Sequence, residues 1–112
     1  MAIVNKKNGN ILAEEYKLCT TTWQKARGLM FSKQKNLIFF FDKEEHVPLH
    51  MLFVFFPIDV LYLDENKRIV ELKEDFRPFG FYSPKKSARY ILELKKGTLR
   101  QTDTSLGDQL EF

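Results

Sequence analysis

The chain runs as short apolar segments separated by polar punctuation, and its longest apolar run lies at the middle. Residues 47–63 read Val-Pro-Leu-His-Met-Leu-Phe-Val-Phe-Phe-Pro-Ile-Asp-Val-Leu-Tyr-Leu. Apolar side chains at both strand parities predict strands covered on both faces. Proline cannot donate to a ladder, so Pro57 divides the run into one strand over Leu49–Phe56 and another over Asp59–Leu63. His50 and Asp59 stand inside the run. A carboxylate in such surroundings is costly unless a partner meets it, so the run marks both the core and a candidate buried polar constellation.

The flanking pattern predicts more short strands. Ile3-Val4 and Ile11-Leu12-Ala13 flank an Asn8-Gly9 turn, the signal of a hairpin. Thr20-Thr21-Thr22 offers N-cap residues for a short helix over Trp23–Met30, in which Gly28 is unfavourable and limits the length. Leu37–Phe41 reads as a strand, Ile69–Leu72 as the return from an Asp64-Glu65-Asn66-Lys67 turn, and Ser87–Leu94 as an alternating strand with Arg89, Ile91, Glu93 and Lys95 on the outward parity. Gly107-Asp108 turns the chain into a last strand over Gln109–Phe112. Phe76–Pro84 is an aromatic loop rich in Pro and Gly. About seven strands and one helix predict a mainly β fold, a compact antiparallel barrel or sandwich forming a single domain over residues 1–112.

Composition refines this reading. With 112 residues the chain can build one core and not two. Its eleven Phe favour a core of large flat side chains. The net charge of +3 is spread, with Lys and Arg interleaved among Asp and Glu, so nucleic acid is not an expected partner. Cys19 is the single cysteine, which excludes an internal disulfide and fits a reducing, cytoplasmic setting. Met1–Asn10 has no apolar stretch of the secretory type, and the 47–63 run is short for a bilayer span and broken by Pro48, His50, Pro57 and Asp59. No membrane partner is therefore expected.

Four pieces line up in order: Arg27-Gly28-Leu29-Met30-Phe31, His50-Met51, Pro57–Asp64, and Ala88–Leu94 with Gly97 and Gly107-Asp108 behind. In these the chain resembles the DUF192 family, from about Leu12 to Phe112. The resemblance implies a β-rich single domain and no established activity, substrate or cofactor. One departure stands out: many bacterial members have a Trp-Met pair where this chain has His50-Met51, followed by polar residues where Leu52–Phe56 is apolar.

Candidate chemistry gathers at few residues. Arg27 and Asp59 suit each other as fork and carboxylate; the plainer reading is a buried ion pair, the sharper one an anion-binding pocket. His50 beside Asp59 would be the orienting half of a general base, but no nucleophile elbow accompanies it. His46, His50 and Cys19 do not form a metal motif of the usual spacing. Cys19 reads as a small buried hydrophobe, inert to thiol reagents. Arg77, Phe79, Phe81 and Tyr82 make the aromatic loop a candidate binding surface. The expected role is a non-catalytic binding module for a small ligand or a protein, without cofactor, metal or catalytic residues, as a monomer or weak homo-oligomer. The alternative is a small, hydrolytic enzyme around Arg27, His50 and Asp59.

Overall fold

The computed structural model describes the backbone of residues 1–112 and every side chain except those of Thr22 and Trp23. Ten strands and two short helices follow one another. They are β1 (Ile3–Asn5), β2 (Ile11–Ala13), β3 (Lys17–Cys19), α1 (Thr22–Arg27), β4 (Leu37–Glu45), β5 (Leu49–His50) and β6 (Ile58–Leu63). After these come β7 (Ile69–Phe76), β8 (Phe81–Tyr82), β9 (Ala88–Lys95), α2 (Thr98–Gln101) and β10 (Leu110–Glu111). The fold is mainly β, as expected, but no barrel closes. The strands form a five-stranded sheet in the order β3-β4-β9-β6-β7, a three-stranded sheet β10-β1-β2 and a two-stranded sheet β5-β8.

The five-stranded sheet is buried on both faces, which explains its apolar runs. All six residues of β6 are buried. Along β4, β6 and β9, alternate residues divide between two cores. Leu37, Phe39, Val60, Tyr62 and Ile91 join a cluster with Leu29, Met51 and Val54. Ile38, Leu61, Leu63, Leu92 and Leu94 join a second cluster with Ile3, Leu99 and Leu110. The three-stranded sheet covers the second face. The connection between β3 and β4, which contains α1, lies over the first.

Most pairings are antiparallel, but β3 and β4 run parallel, Leu18 opposite Ile38. Parallel neighbours need a long crossover, and residues 20–36 supply it. The strand expected over Leu49–Phe56 stops after His50. Beyond it the Val54 amide donates to the Met51 carbonyl (3.2 Å), the Met51 amide to the Gly80 carbonyl (2.8 Å) and the Phe79 amide to the Met51 carbonyl (2.8 Å). Met51 and Val54 are buried while Leu52, Phe53 and Phe55 are exposed. That spacing of three is the spacing of a turn, and the apolar run hid it. The helix also ends early, at Arg27 instead of Met30.

Candidate functional site

The roof of the site is built by α1 and the turn after it. The Gln24 amide donates to Thr21 Oγ1 (3.1 Å) and the Thr21 amide to Gln24 Oε1 (3.2 Å), a capping box that starts the helix. Gly28 stops it with φ 49° and ψ −123°, a conformation that side chains disfavour, while its amide still donates to the Gln24 carbonyl (3.0 Å). The reversal turns Leu29 into the first core. Between this roof and the sheet lies a cavity of about 200 Å³. Its apolar wall includes Leu29, Phe39, Phe41, Val54 and Ile91, and Lys25, Arg27, His50 and Glu93 bring its charged and polar groups.

Glu93 is the floor. It sits in the middle of β9, flanked on the sheet by Leu37 of β4 and Val60 of β6, and is 7% exposed. Burial alone pushes its carboxyl up to about 7 from an ordinary value of 4.5. Among the described residues no hydrogen bond reaches its carboxylate. A Cβ placed on Gly28 would stand 3.9 Å from Glu93 Oε1 and 3.5 Å from Phe39 Cζ, so the glycine leaves open space directly above the acid. Lys25 Nζ lies over the Phe41 ring, 4.3 Å from its centroid. Arg27 is exposed and forms no salt bridge among the described residues. Arg27 and Gly28 also line a neighbouring cavity of about 220 Å³ with Lys17, Cys19 and Lys35.

Asp59, expected together with Arg27 and His50, does not come together with them. Asp59 is buried, as expected, but its pairing with Arg27 or His50 is corrected by the structure. Its parity on β6 is that of Leu61 and Leu63, which face the second core, whereas Arg27 and His50 stand over the first. Its carboxylate accepts from the Asp75 amide (3.0 Å) and the Leu99 amide (3.1 Å). Helix α2 begins after Gly97, which has no side chain to cap it, and Asp59 does that work from β6, on the same face of the sheet. His50 is exposed, and its Nδ1 accepts from the Leu52 amide (3.2 Å).

The aromatic loop divides as well. Phe79 and Phe81 are 50% and 74% exposed, as rings on a binding surface have to be. Arg77 is exposed and held by Asp75, Nε to Oδ2 at 2.9 Å. Tyr82 is half-buried, and its hydroxyl donates to Glu71. That bond, helped by burial, pushes the phenol up to about 12. Glu71 also accepts the Lys85 and Lys86 amides (2.8 and 2.9 Å), so Tyr82 braces the loop. Cys19 is buried and its thiol is raised by that burial, the setting of an unreactive thiol.

Glu93, Lys25 and the exposed rings of Phe31, Phe53 and Phe55 escaped sequence reasoning. Glu93 had a signal. Ile91-Leu92-Glu93-Leu94 is apolar on both parities, the signature that singled out Asp59. The alternation of Arg89, Glu93 and Lys95 on one parity concealed it. Among the described residues no group of three or more His, Cys, Asp or Glu side chains could hold a metal ion, and no helix is long and apolar enough to cross a membrane.

Comparison with known proteins places these motifs in a family. The model of DUF192, described as Uncharacterized ACR, COG1430, matches residues 3–112. Relatives named UPF0127 protein include one from Thermococcus gammatolerans, 34% identical over 98% of this chain and 74% of its own length. Another, from Pyrococcus furiosus, is 30% identical over 98% of this chain and 97% of its own. Among solved structures, one from Sinorhizobium meliloti 1021, described as a candidate transcription regulator, is similar with a TM-score of 0.87 at 24% identity, over 98% of this chain and 89% of that one. One from Novosphingobium aromaticivorans, described as of unknown function, has a TM-score of 0.85 at 17% identity, over 99% and 82%. At these identities the two structures establish the fold alone. Of the four motif pieces, Arg27-Gly28-Leu29-Met30, His50-Met51 and the Ile91 and Glu93 pair line the one cavity, while Asp59 serves α2.

Proposed function

The chain belongs to the DUF192 family, and for it we propose a ligand-binding domain whose cavity takes a small, mostly apolar molecule with one hydrogen-bonding group. The observation that carries this reading is the buried Glu93 carboxyl on the cavity floor, which meets no hydrogen-bond partner among the described residues. A buried carboxyl without a partner is destabilising unless something else needs it. Half-titrated near neutrality, Glu93 can accept from a hydroxyl or amine, or donate to a carbonyl. Lys25 and Arg27 at the wall suit an anionic or polar outer end. About 200 Å³ holds a single ring with one short substituent.

Native mass spectrometry of the purified protein, followed by titration with benzyl alcohol, benzylamine and benzoate watched by NMR, tests this. At least one fragment is expected to shift the resonances of Leu29, Phe39 and Ile91. Glu93→Leu should weaken it about tenfold, the worth of one hydrogen bond to a charged group. Failure of all three fragments to perturb those residues, with no retained molecule, would sink the reading.

A second reading, a small hydrolytic enzyme, draws support from the same group. A carboxyl near 7 is suited to proton transfer, and Glu93 lines one cavity with Arg27 and His50, where Asp59 does not. Turnover of simple esters or amides that disappears in Glu93→Gln, with the fold intact, would favour it over simple binding.

A further inference from the structure

Next to the cavity, three loops bring phenylalanines to the surface. Phe31 follows the roof turn, Phe53 and Phe55 lie between β5 and β6, and Phe79 lies between β7 and β8. They are 65%, 43%, 64% and 50% exposed, yet they pack on one another. Phe31 stacks on Phe53 (centroids 4.7 Å), and Phe79 meets Phe53 (6.4 Å) and Phe55 (5.7 Å) edge-on. Phe31, Phe53 and Phe79 all have left-handed backbone, with φ of 56°, 58° and 62°. Bulky side chains rarely adopt it, at a cost of about 1 kcal/mol each. Three such residues meeting in one exposed patch point to use at that surface.

The rings expose on the order of 400 Å² together, the size of the largest patch on a typical monomer, which is often functional. A stable dimer needs about twice that from each partner, so a second copy of the chain is a poor fit. Charge narrows the choice further. Residues 28–36 and 47–57 carry Lys33 and Lys35 and no Asp or Glu, while Arg77 beside Phe79 is paired with Asp75, so the net charge of these loops suits an anionic partner. Backbone pairing bears on the choice at two of the four rings, Phe31 and Phe79. The Phe31 amide donates to the Phe53 carbonyl (2.9 Å), Phe79 to Met51 (2.8 Å), Val54 to Met51 (3.2 Å) and Gly80 to Arg77 (3.1 Å). A peptide added to a sheet edge needs free main-chain groups. Hydrocarbon offers none, and Phe31 and Phe79 bring to it amides that are already paired, whereas those of Phe53 and Phe55 have no partner among the described residues.

We propose that the Phe31, Phe53, Phe55 and Phe79 patch seats this domain on an anionic lipid surface, the rings entering the acyl boundary and Lys33 and Lys35 meeting the headgroups. No helix among the described residues is long and apolar enough to cross a bilayer, but lying on one asks only for buried ring area and positive charge.

Vesicle sedimentation tests this, with phosphatidylglycerol vesicles against pure phosphatidylcholine vesicles. Retention on the former only, weakening with added salt, is expected. Phe55→Ser and Phe79→Asn, the latter keeping a residue that tolerates the left-handed backbone, should each lower retention about tenfold, by loss of ring burial. Lys33→Glu with Lys35→Glu should lower it several-fold without changing thermal unfolding. Equal retention of wild type and folded Phe variants would overturn the proposal, as would absence of binding to either vesicle. So would a concentration-dependent dimer abolished by Phe79→Asn, which would assign the patch to a second copy instead.

Discussion

Asp59 and Glu93 are both buried carboxylates on neighbouring strands, and they differ in what meets them. Asp59 receives two backbone amides on the second-core face. Asp59→Ala would strand both and release the start of α2, so denaturant unfolding should show a loss of about 3 kcal/mol. A change within about 0.5 kcal/mol would mean that water replaces the carboxylate without cost. Glu93 receives no hydrogen bond from the described residues, and its titration should be visible in stability. Its folded value, about 7, lies above the ordinary 4.5, so the folded state holds the proton more tightly. The stability associated with the neutral form is complete below pH 4.5 and is lost as pH rises through 7. Glu93→Gln cannot ionise. It should be more stable than the wild type at pH 8 by roughly 1 to 3 kcal/mol, the size of such a shift. The difference should vanish at pH 4. A variant equally destabilised at both pH values would show Glu93 to be an ordinary structural side chain.

At the scale of elements, the strands that pack on both sides were legible in sequence because two-sided burial leaves no polar parity. β4 and β6 lie where their apolar runs put them, β9 lies where its alternation put it although both its faces are largely buried, and the hairpin of β1 and β2 follows its Asn-Gly turn. Residues 51–56 were not legible. An apolar run carries no period to separate a strand from a turn whose rings face solvent. The partner of Asp59 was hidden for a related reason: pairing by charge ignores pleat parity, which sends Asp59 and Arg27 to opposite faces of one sheet. Gly28, which looked like a blemish in a helix, is the element's stop and the cavity's clearance. Gly28→Ala should cost about 1 to 3 kcal/mol through backbone strain. It should also weaken any cavity ligand, because the new methyl sits 3.9 Å from Glu93 Oε1. Thermal unfolding and the fragment titration would measure both; an unstrained, fully binding variant would contradict the geometry.

The whole molecule is closed by its ends. β1 pairs with β10, Asn5 opposite Leu110, and Asn5 Nδ2 donates to Asp108 (3.0 Å) and Thr104 (3.2 Å). Phe112 lies against Tyr90 and under Lys67 Nζ. Leu110 is 2% exposed in the second core, so Leu110→Ala should cost about 2 to 5 kcal/mol. Hydrogen exchange should show the loss in β1 as well as β10, since the two share one ladder; protection lost only near Leu110 would argue against this closure. The parallel step from β3 to β4 has a different consequence. Topology obliges the chain to cross over there, and the crossover is also what covers the cavity. The sheet needs residues 20–36 for their span, while the cavity depends on their identities. The segment is therefore exchangeable as a cassette. A chimera carrying another family member's crossover should keep the register of the five strands and take a different guest.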